Sequence, residues 1–337
     1  MHAPADKRLD TLSCIGFGIA LLGVLYLHLL PALVSGLLVY ALVHAIAPLL
    51  RKRLANHQSA RFLAVALIAS VVVALITLAG IALSSFLRGS AESLPQLLTR
   101  MAEIIETSRG RLPEWLGDYI PAETDELRSA IVGWLQNHAQ AFQLAGVGLG
   151  RAFAHILIGM VVGALLSLDV ARAPHEQPPL AAALSERGHR LAKAFRRVVF
   201  AQFWISAINT LFTGIFLAGV LPSLGVQLPF TKTLILVTFV AGLIPILGNL
   251  ISNTVIFIVG LSQSLFVALG ALAYLVVIHK LEYFLNARIV GSHISARAVE
   301  LLLAMLVMEA AFGIPGLIAA PIFYAYLKDE LRSRALV

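Results

Sequence analysis

The sequence predicts an all-α, polytopic membrane protein of about eight transmembrane helices, with an outer amphipathic helical insertion between spans three and four. Three observations carry this. Uncharged apolar runs recur: residues 62–87 and 198–221 hold no Asp, Glu, Lys or Arg, and residues 301–327 hold only Glu309. Each run reaches the ~20 residues needed to cross a bilayer. Of 337 residues, 59% are hydrophobic and 13% charged, against about 25% charged in soluble domains. The charges sit in short connections between apolar runs, so the net charge of +7 does not form a nucleic-acid-binding face.

The first uncharged stretch, residues 11–50, suits two spans joined by a tight turn near Pro31, with one long helix bent at that proline as the rival. The only cysteine, Cys14, excludes an intrachain disulfide. The first apolar run has no small-residue cleavage site, so an uncleaved first span is expected. Residues 1–87 thus form an N-terminal unit of three spans, the third at 62–87.

Residues 88–143 differ in character. Between Arg88 and Arg128 five basic residues face eight acidic ones. Leu94, Leu97, Leu98, Met101, Ile104 and Ile105 follow helical spacing, as do Leu127, Ile131, Trp134, Leu135, His138 and Phe142. A Gly/Pro-rich turn separates the two amphipathic helices, and Thr124 is a candidate N-cap for the second. The C-terminal unit, 144–337, carries spans four to eight. In span four, residues 144–168, Gly159 and Gly163 form a small-xxx-small pair suited to close helix packing. A connecting loop at 169–197 precedes span five at 198–221.

Charge asymmetry orients the chain. The connection from Arg51 to Arg61 carries four basic residues and no acid, and 169–197 carries six basic residues against three acids. Both face the cytoplasm on this rule, as do both termini, and the acidic insertion faces outward.

Residues 233–261 are uncharged but too long for one straight span. They contain Gly242, Pro245 and Gly248: a proline that removes a helix hydrogen bond, flanked by glycines that tolerate unusual backbone angles. Asn249, Ser252 and Asn253 follow and could meet the freed backbone groups. The last apolar run is interrupted by Gly313, Pro315 and Gly316. Paired Gly/Pro-broken hydrophobic segments point to a transporter's central site, although prolines also kink helices that bind nothing. Lys280, Glu282 and Arg288 lie between the two breaks, as snorkelling interfacial charges or as a gate or coupling cluster. His279 and Glu282 lack further ligands for a metal. An acid as deep as Glu309 costs about 2.5–3.5 kcal/mol on insertion scales. It is therefore expected to face the bundle interior or water with a partner, where it could titrate as a proton carrier or brace the Gly313–Gly316 break.

These elements in this order resemble the autoinducer-2 exporter family of bacterial membrane proteins over nearly the whole chain. An opening hairpin ends in Ala47-Pro48-Leu49-Leu50 before a basic loop. Ile244-Pro245-Ile246-Leu247-Gly248 is similar to the family's Ile-Pro-x-x-Gly. Lys280-Leu281-Glu282, Arg288-Ile289-Val290-Gly291 and Phe312-Gly313-Ile314-Pro315-Gly316 with Ala319-Ala320-Pro321 are similar to its later motifs. Ala287 and Asn249 depart from common prolines, and Glu309 from a common glycine, so the role of Glu309 cannot be borrowed. The resemblance implies a secondary transporter or exporter in the bacterial inner membrane, assembled as a homo-oligomer, for example a pentamer. Its members are linked to export of the quorum-sensing signal autoinducer-2 or to sodium/proton exchange.

The expected function is export of a small solute, such as an autoinducer-2-like signal, coupled to a proton or sodium gradient. The alternatives are a sodium/proton antiporter or an oligomeric channel. No phosphate-binding Gly-x-x-x-x-Gly-Lys-Ser/Thr loop is present, so intrinsic ATP drive is not expected. His175-Glu176 lacks the second histidine of a zinc-protease site, and Ser262 lacks the final glycine of a nucleophile elbow, so no enzyme, cofactor or metal is expected. The expected partners are the solute, the coupling ion, the bilayer and further copies of the chain.

Overall fold

The computed structural model describes residues 7–51, 58–74, 76–78, 81, 139–168, 177–244, 247–289 and 298–336. They are helical with short turns, and hold no strand. Helix α1 is Lys7–Tyr26, α2 Leu30–Arg51, α3 Gln58–Leu78, α4 Ala139–Leu168, α5 Pro179–Ile215, α6 Thr231–Gly242, α7 Leu247–Leu261, α8 Leu265–Ile289 and α9 Ala298–Ser333. Among the described residues six helical stretches, against about eight expected, are long and apolar enough to cross a membrane. The expected insertion lies outside the described residues up to 138, and Pro245 lies outside them too.

The chain divides into two units, 1–76 with 147–200 and 291–337, and 77–146 with 201–290. In the first unit, α1 and α2 are joined by a tight turn: His28 adopts a left-handed φ of 56°, and Pro31 falls in the first turn of α2, where its missing N–H costs nothing. The rival single bent helix is not formed.

Helix α2 crosses α4 at backbone contact. A Cβ on Gly36 would lie 2.8 Å from the Gly159 carbonyl oxygen, and one on Gly163 would lie 2.8 Å from the Gly36 carbonyl carbon. Ser35, buried at the crossing, donates to the Ile156 carbonyl at 2.9 Å. Small residues admit this approach because dispersion between close backbones, not hydrophobicity, drives helix association in lipid. The Gly159–Gly163 pair therefore does what its spacing predicts.

The connection expected over 169–197 is helical from Pro179 onward. Residues 179–184 are rich in Ala and Leu, Pro179 opens the first turn, and Glu186 pairs with Arg190 one turn later. Its buried side, including Leu191, Ala194, Phe195 and Val198, packs with Leu21 of α1 and Ile322 and Tyr326 of α9. Charges close this end of the unit. Arg187 pairs with Asp10 at 2.6 Å and Glu330 at 3.3 Å; Arg190 meets Glu330 at 2.7 Å; Arg334 reaches Asp10 at 3.0 Å and Glu330 at 3.1 Å. Only 4% of the Arg187 side chain and 3% of Glu330 are exposed, and charges so buried persist only when paired. The network places the start of α1, the start of α5 and the end of α9 at one end of the unit.

In the second unit, α5 continues through one π-turn, Phe216–Val220, into Leu221–Ser223. Phe216 stacks on Tyr274 of α8 with ring centroids 4.0 Å apart, and the Tyr274 hydroxyl donates to the Phe212 carbonyl at 3.2 Å, just before the widened turn. Helix α7 packs along α6 and α8, around Leu217, Leu234, Ile256 and Leu275.

Candidate functional site

Both predicted interruptions are sharp reversals of the chain. Helices α6 and α7 have 12 and 15 residues. At 1.5 Å per residue they span about 18 and 22 Å, short of a ~30 Å hydrocarbon core. They form a hairpin whose tip carries Gly242 and Gly248, both buried. A Cβ on Gly248 would lie 2.7 Å from the Gly242 Cα, so glycine is what lets the two arms meet.

A helix end inside a membrane must account for its last four carbonyls, and here every one is met. The Ser206 hydroxyl donates to the Phe239 carbonyl at 2.6 Å. The backbone N–H groups of Leu243 and Ile244 reach Val240 at 3.3 Å and Ala241 at 2.8 Å. The Gln202 side-chain amide donates to the Gly242 carbonyl at 2.7 Å. One turn on, the Asn209 amide donates to the Asn249 side-chain oxygen at 2.8 Å, and Ser252 donates to the Asn249 carbonyl at 3.3 Å.

Asn249 thus holds the hairpin through Asn209. The freed carbonyls go to Gln202, Ser206 and neighbouring backbone, where Asn249, Ser252 and Asn253 were expected to meet them. Asn253 is half-buried on α7. Sequence reasoning missed Gln202, Ser206 and Asn209. With Thr213, which is fully buried, they recur at i, i+4, i+7 and i+11 on one stripe of α5. That polar stripe inside an uncharged span was the available signal.

The second interruption bends α9. Gly313 has φ 64° and ψ −147°, a backbone region essentially closed to side chains. A Cβ on Gly316 would lie 2.6 Å from the Met308 carbonyl carbon. The Tyr324 hydroxyl donates to a Glu300 carboxylate oxygen at 2.5 Å, and Lys328 pairs with the same oxygen at 2.5 Å. In a straight helix residues 300 and 324 would be about 36 Å apart. Residues 298–312 and 315–333 are therefore antiparallel arms of a second hairpin, with Pro315 in the first turn of the returning arm. The hairpin packs Met308, Phe312 and Ala319 against Leu25 and Leu30 at the α1–α2 turn.

Glu309 does not face the interior of its own chain, which leaves water as the surrounding expected of it. It is exposed on the first arm, on the side that carries Leu302 and Leu306, 59% and 64% exposed. The arm buries Met305, and the half-buried Met308 packs under the hairpin against Leu25, Leu30 and Ala319. No hydrogen bond or ion pair engages Glu309 among the described residues. Lys280 is exposed on α8. Glu282 and Arg288 lie on the same helix, where their side chains fall outside the described residues.

The first unit also contains a cavity of about 910 Å³ between α2, α4 and the start of α5, and no predicted site residue lines it.

The family model described as "AI-2E family transporter" matches residues 12–333, nearly the whole chain. No curated protein matches the sequence.

Proposed function

The chain belongs to the AI-2E family of transporters and is a multi-pass membrane protein, and from this premise we propose that it is a secondary exporter of a small solute driven by a proton or sodium gradient. The observation that carries the reading is the pair of half-length hairpins with Gly/Pro tips. Discontinuous helices of this kind build the central sites of secondary transporters, because their ends bring backbone dipoles to the middle of the membrane. Glu309 adds to it. An acid on an otherwise apolar helix face costs about 2.5–3.5 kcal/mol against lipid, so it faces a wet passage completed by further copies of the chain, such as a pentamer.

A sidedness follows. In this reading α1 to α5 cross, α8 with its 25 residues makes the sixth crossing, and α9, although long and apolar enough to cross, folds as a hairpin, so that both hairpins return to the side they left. The six crossings bring both termini to one side, in keeping with the Asp10–Arg187–Glu330–Arg334 network. The positive-inside rule makes that side the cytoplasm of a bacterial inner membrane and turns the insertion over 88–143 outward. In this arrangement Gly242, Pro245, Gly248, Gly313, Pro315 and Gly316 set the hinges. Asn249, held by Asn209, and Asn253 lie on α7 beyond the first tip, and Lys280, Glu282, Arg288 and Glu309 are the coupling charges. The family is one of transporters.

Purified protein in liposomes is expected to show saturable solute flux that collapses with an uncoupler or a sodium ionophore. Glu309→Gln is expected to remove the pH dependence of that flux. Unsaturable flux, or single-molecule currents far above transporter turnover, would instead identify a channel. Unchanged pH dependence in Glu309→Gln would remove the acid from the coupling step.

A further inference from the structure

The cavity of about 910 Å³ in the first unit is amphipathic along its length. Its floor is the backbone crossing of α2 on α4, where Gly36, Gly159 and Gly163 line a trough without side chains of their own. Its α4 wall is Ile158, Val162 and Leu166, which are 58%, 47% and 61% exposed, so the trough opens laterally on the apolar surface of the unit.

The other end is polar and basic. The Tyr40 hydroxyl lies 3.4 Å from Nε2 of His189, whose Nδ1 bonds the Ser185 carbonyl at 2.9 Å. His44 anchors its Nδ1 on the Tyr40 carbonyl at 2.8 Å, with its ring centroid 4.0 Å from that of Tyr40. Arg61 lines the same end. A smaller cavity of about 130 Å³ shares His44 and Arg61 and adds Arg51. Among the described residues no Asp or Glu lines either space.

A ligand matched to this shape has an apolar tail for the trough and an anionic head for the arginines and imidazoles. The basic end adjoins the 51–61 connection, on the side where positive charge gathers. Basic pockets between membrane helices on that side hold anionic lipid head groups. The geometry points to a specific site for an anionic phospholipid of the adjoining leaflet, with one acyl chain along Gly36 to Gly163 and its phosphate at Arg61, His44 and His189. The site lies within the first unit and uses none of the residues proposed for transport.

The test is retention of phosphatidylglycerol against phosphatidylcholine by the full-length protein, read by native mass spectrometry and by the rise in Tm on adding each lipid. Wild type is expected to retain phosphatidylglycerol selectively. Arg61→Gln is expected to weaken retention about fivefold, since one basic side chain near the surface contributes about 1 kcal/mol toward anionic lipid. Arg61→Lys, which keeps the charge, is expected to restore most of it. Val162→Trp, which fills the trough while leaving the basic end intact, is expected to lower retention of both lipids. Equal retention of the two lipids by wild type, an Arg61→Gln variant that binds phosphatidylglycerol normally, or a full Tm rise with inorganic phosphate alone would each overturn the assignment.

Discussion

Replacing Gly313 with alanine probes the second hairpin where the chain reverses. With φ 64° and ψ −147°, this residue sits in backbone space that a side chain enters at a cost of about 1–3 kcal/mol. No atom lies within 4 Å of the place a Cβ would take, so the cost is conformational and not a clash. At 1.4 kcal/mol per factor of ten, the substitution shifts the balance between closed and opened arms about 5- to 150-fold. Opposing it are the bonds of Glu300 to Tyr324 and Lys328 and the packing of Met308 and Phe312 at the α1–α2 turn. Opening toward a continuous helix would carry residues 299 and 327 to about 42 Å apart. Spin labels at Val299 and Leu327, 66% and 50% exposed, in a Cys14→Ser background and diluted with unlabelled protein, report that separation by double electron–electron resonance. The native hairpin is expected to give a single short distance, and Gly313→Ala a new long component with a lower Tm. If Gly313→Ala keeps both the native distance distribution and the native Tm, the positive φ does not hold the bend. A long distance in the unsubstituted protein would refute the hairpin itself.

Three further outcomes are expected. Gln202→Leu strands the Gly242 carbonyl at the first tip, costing about 1–3 kcal/mol. That appears as a lower Tm in detergent and as faster hydrogen exchange at Leu243 and Ile244. Gly163→Leu forces α4 off α2 and costs at least the ~1–3 kcal/mol of ordinary overpacking, read by thermal unfolding, with Gly148→Leu, where a Cβ meets open space, as the silent control. Glu330→Gln leaves Arg187 almost fully buried without its nearest buried carboxylate and should cost about 3–5 kcal/mol, lowering expression and Tm more than Glu186→Gln at the exposed edge of the same network.

Much of the fold is written in the chain. Pro31 after a polar break marks the α1–α2 turn, Gly159 and Gly163 mark a helix contact at backbone distance, and Gly242, Gly248, Gly313 and Gly316 mark where helices stop being straight. What the residues do not spell out is the direction the chain takes after each stop. Apolar composition measures how much backbone lies in the membrane, and a rod and a hairpin of equal length share it. The doubling-back of α9 becomes visible only when Glu300 meets Lys328, 28 positions later. Glu309 turns away from its own chain for a related reason: a helix folded against itself has an inside that a straight span lacks, and Met308 packs there. Gln202, Ser206 and Asn209 escaped notice because their stretch lacks charge, although their spacing puts them on one stripe. Residues 179–197 looked like a loop because of their charges, yet the pairing of Arg187 and Arg190 with Asp10 and Glu330 lets them stay helical.

The clasp on the first hairpin uses amides, hydroxyls and peptide groups only. Gln202, Ser206, Asn209, Asn249 and Ser252 have no proton to gain or lose between mild acid and mild alkali, and their bonds, shielded from the medium, feel little of its ionic strength. This corner of the molecule is blind to both variables. Any response of turnover to acidity therefore begins at a titratable group outside this clasp.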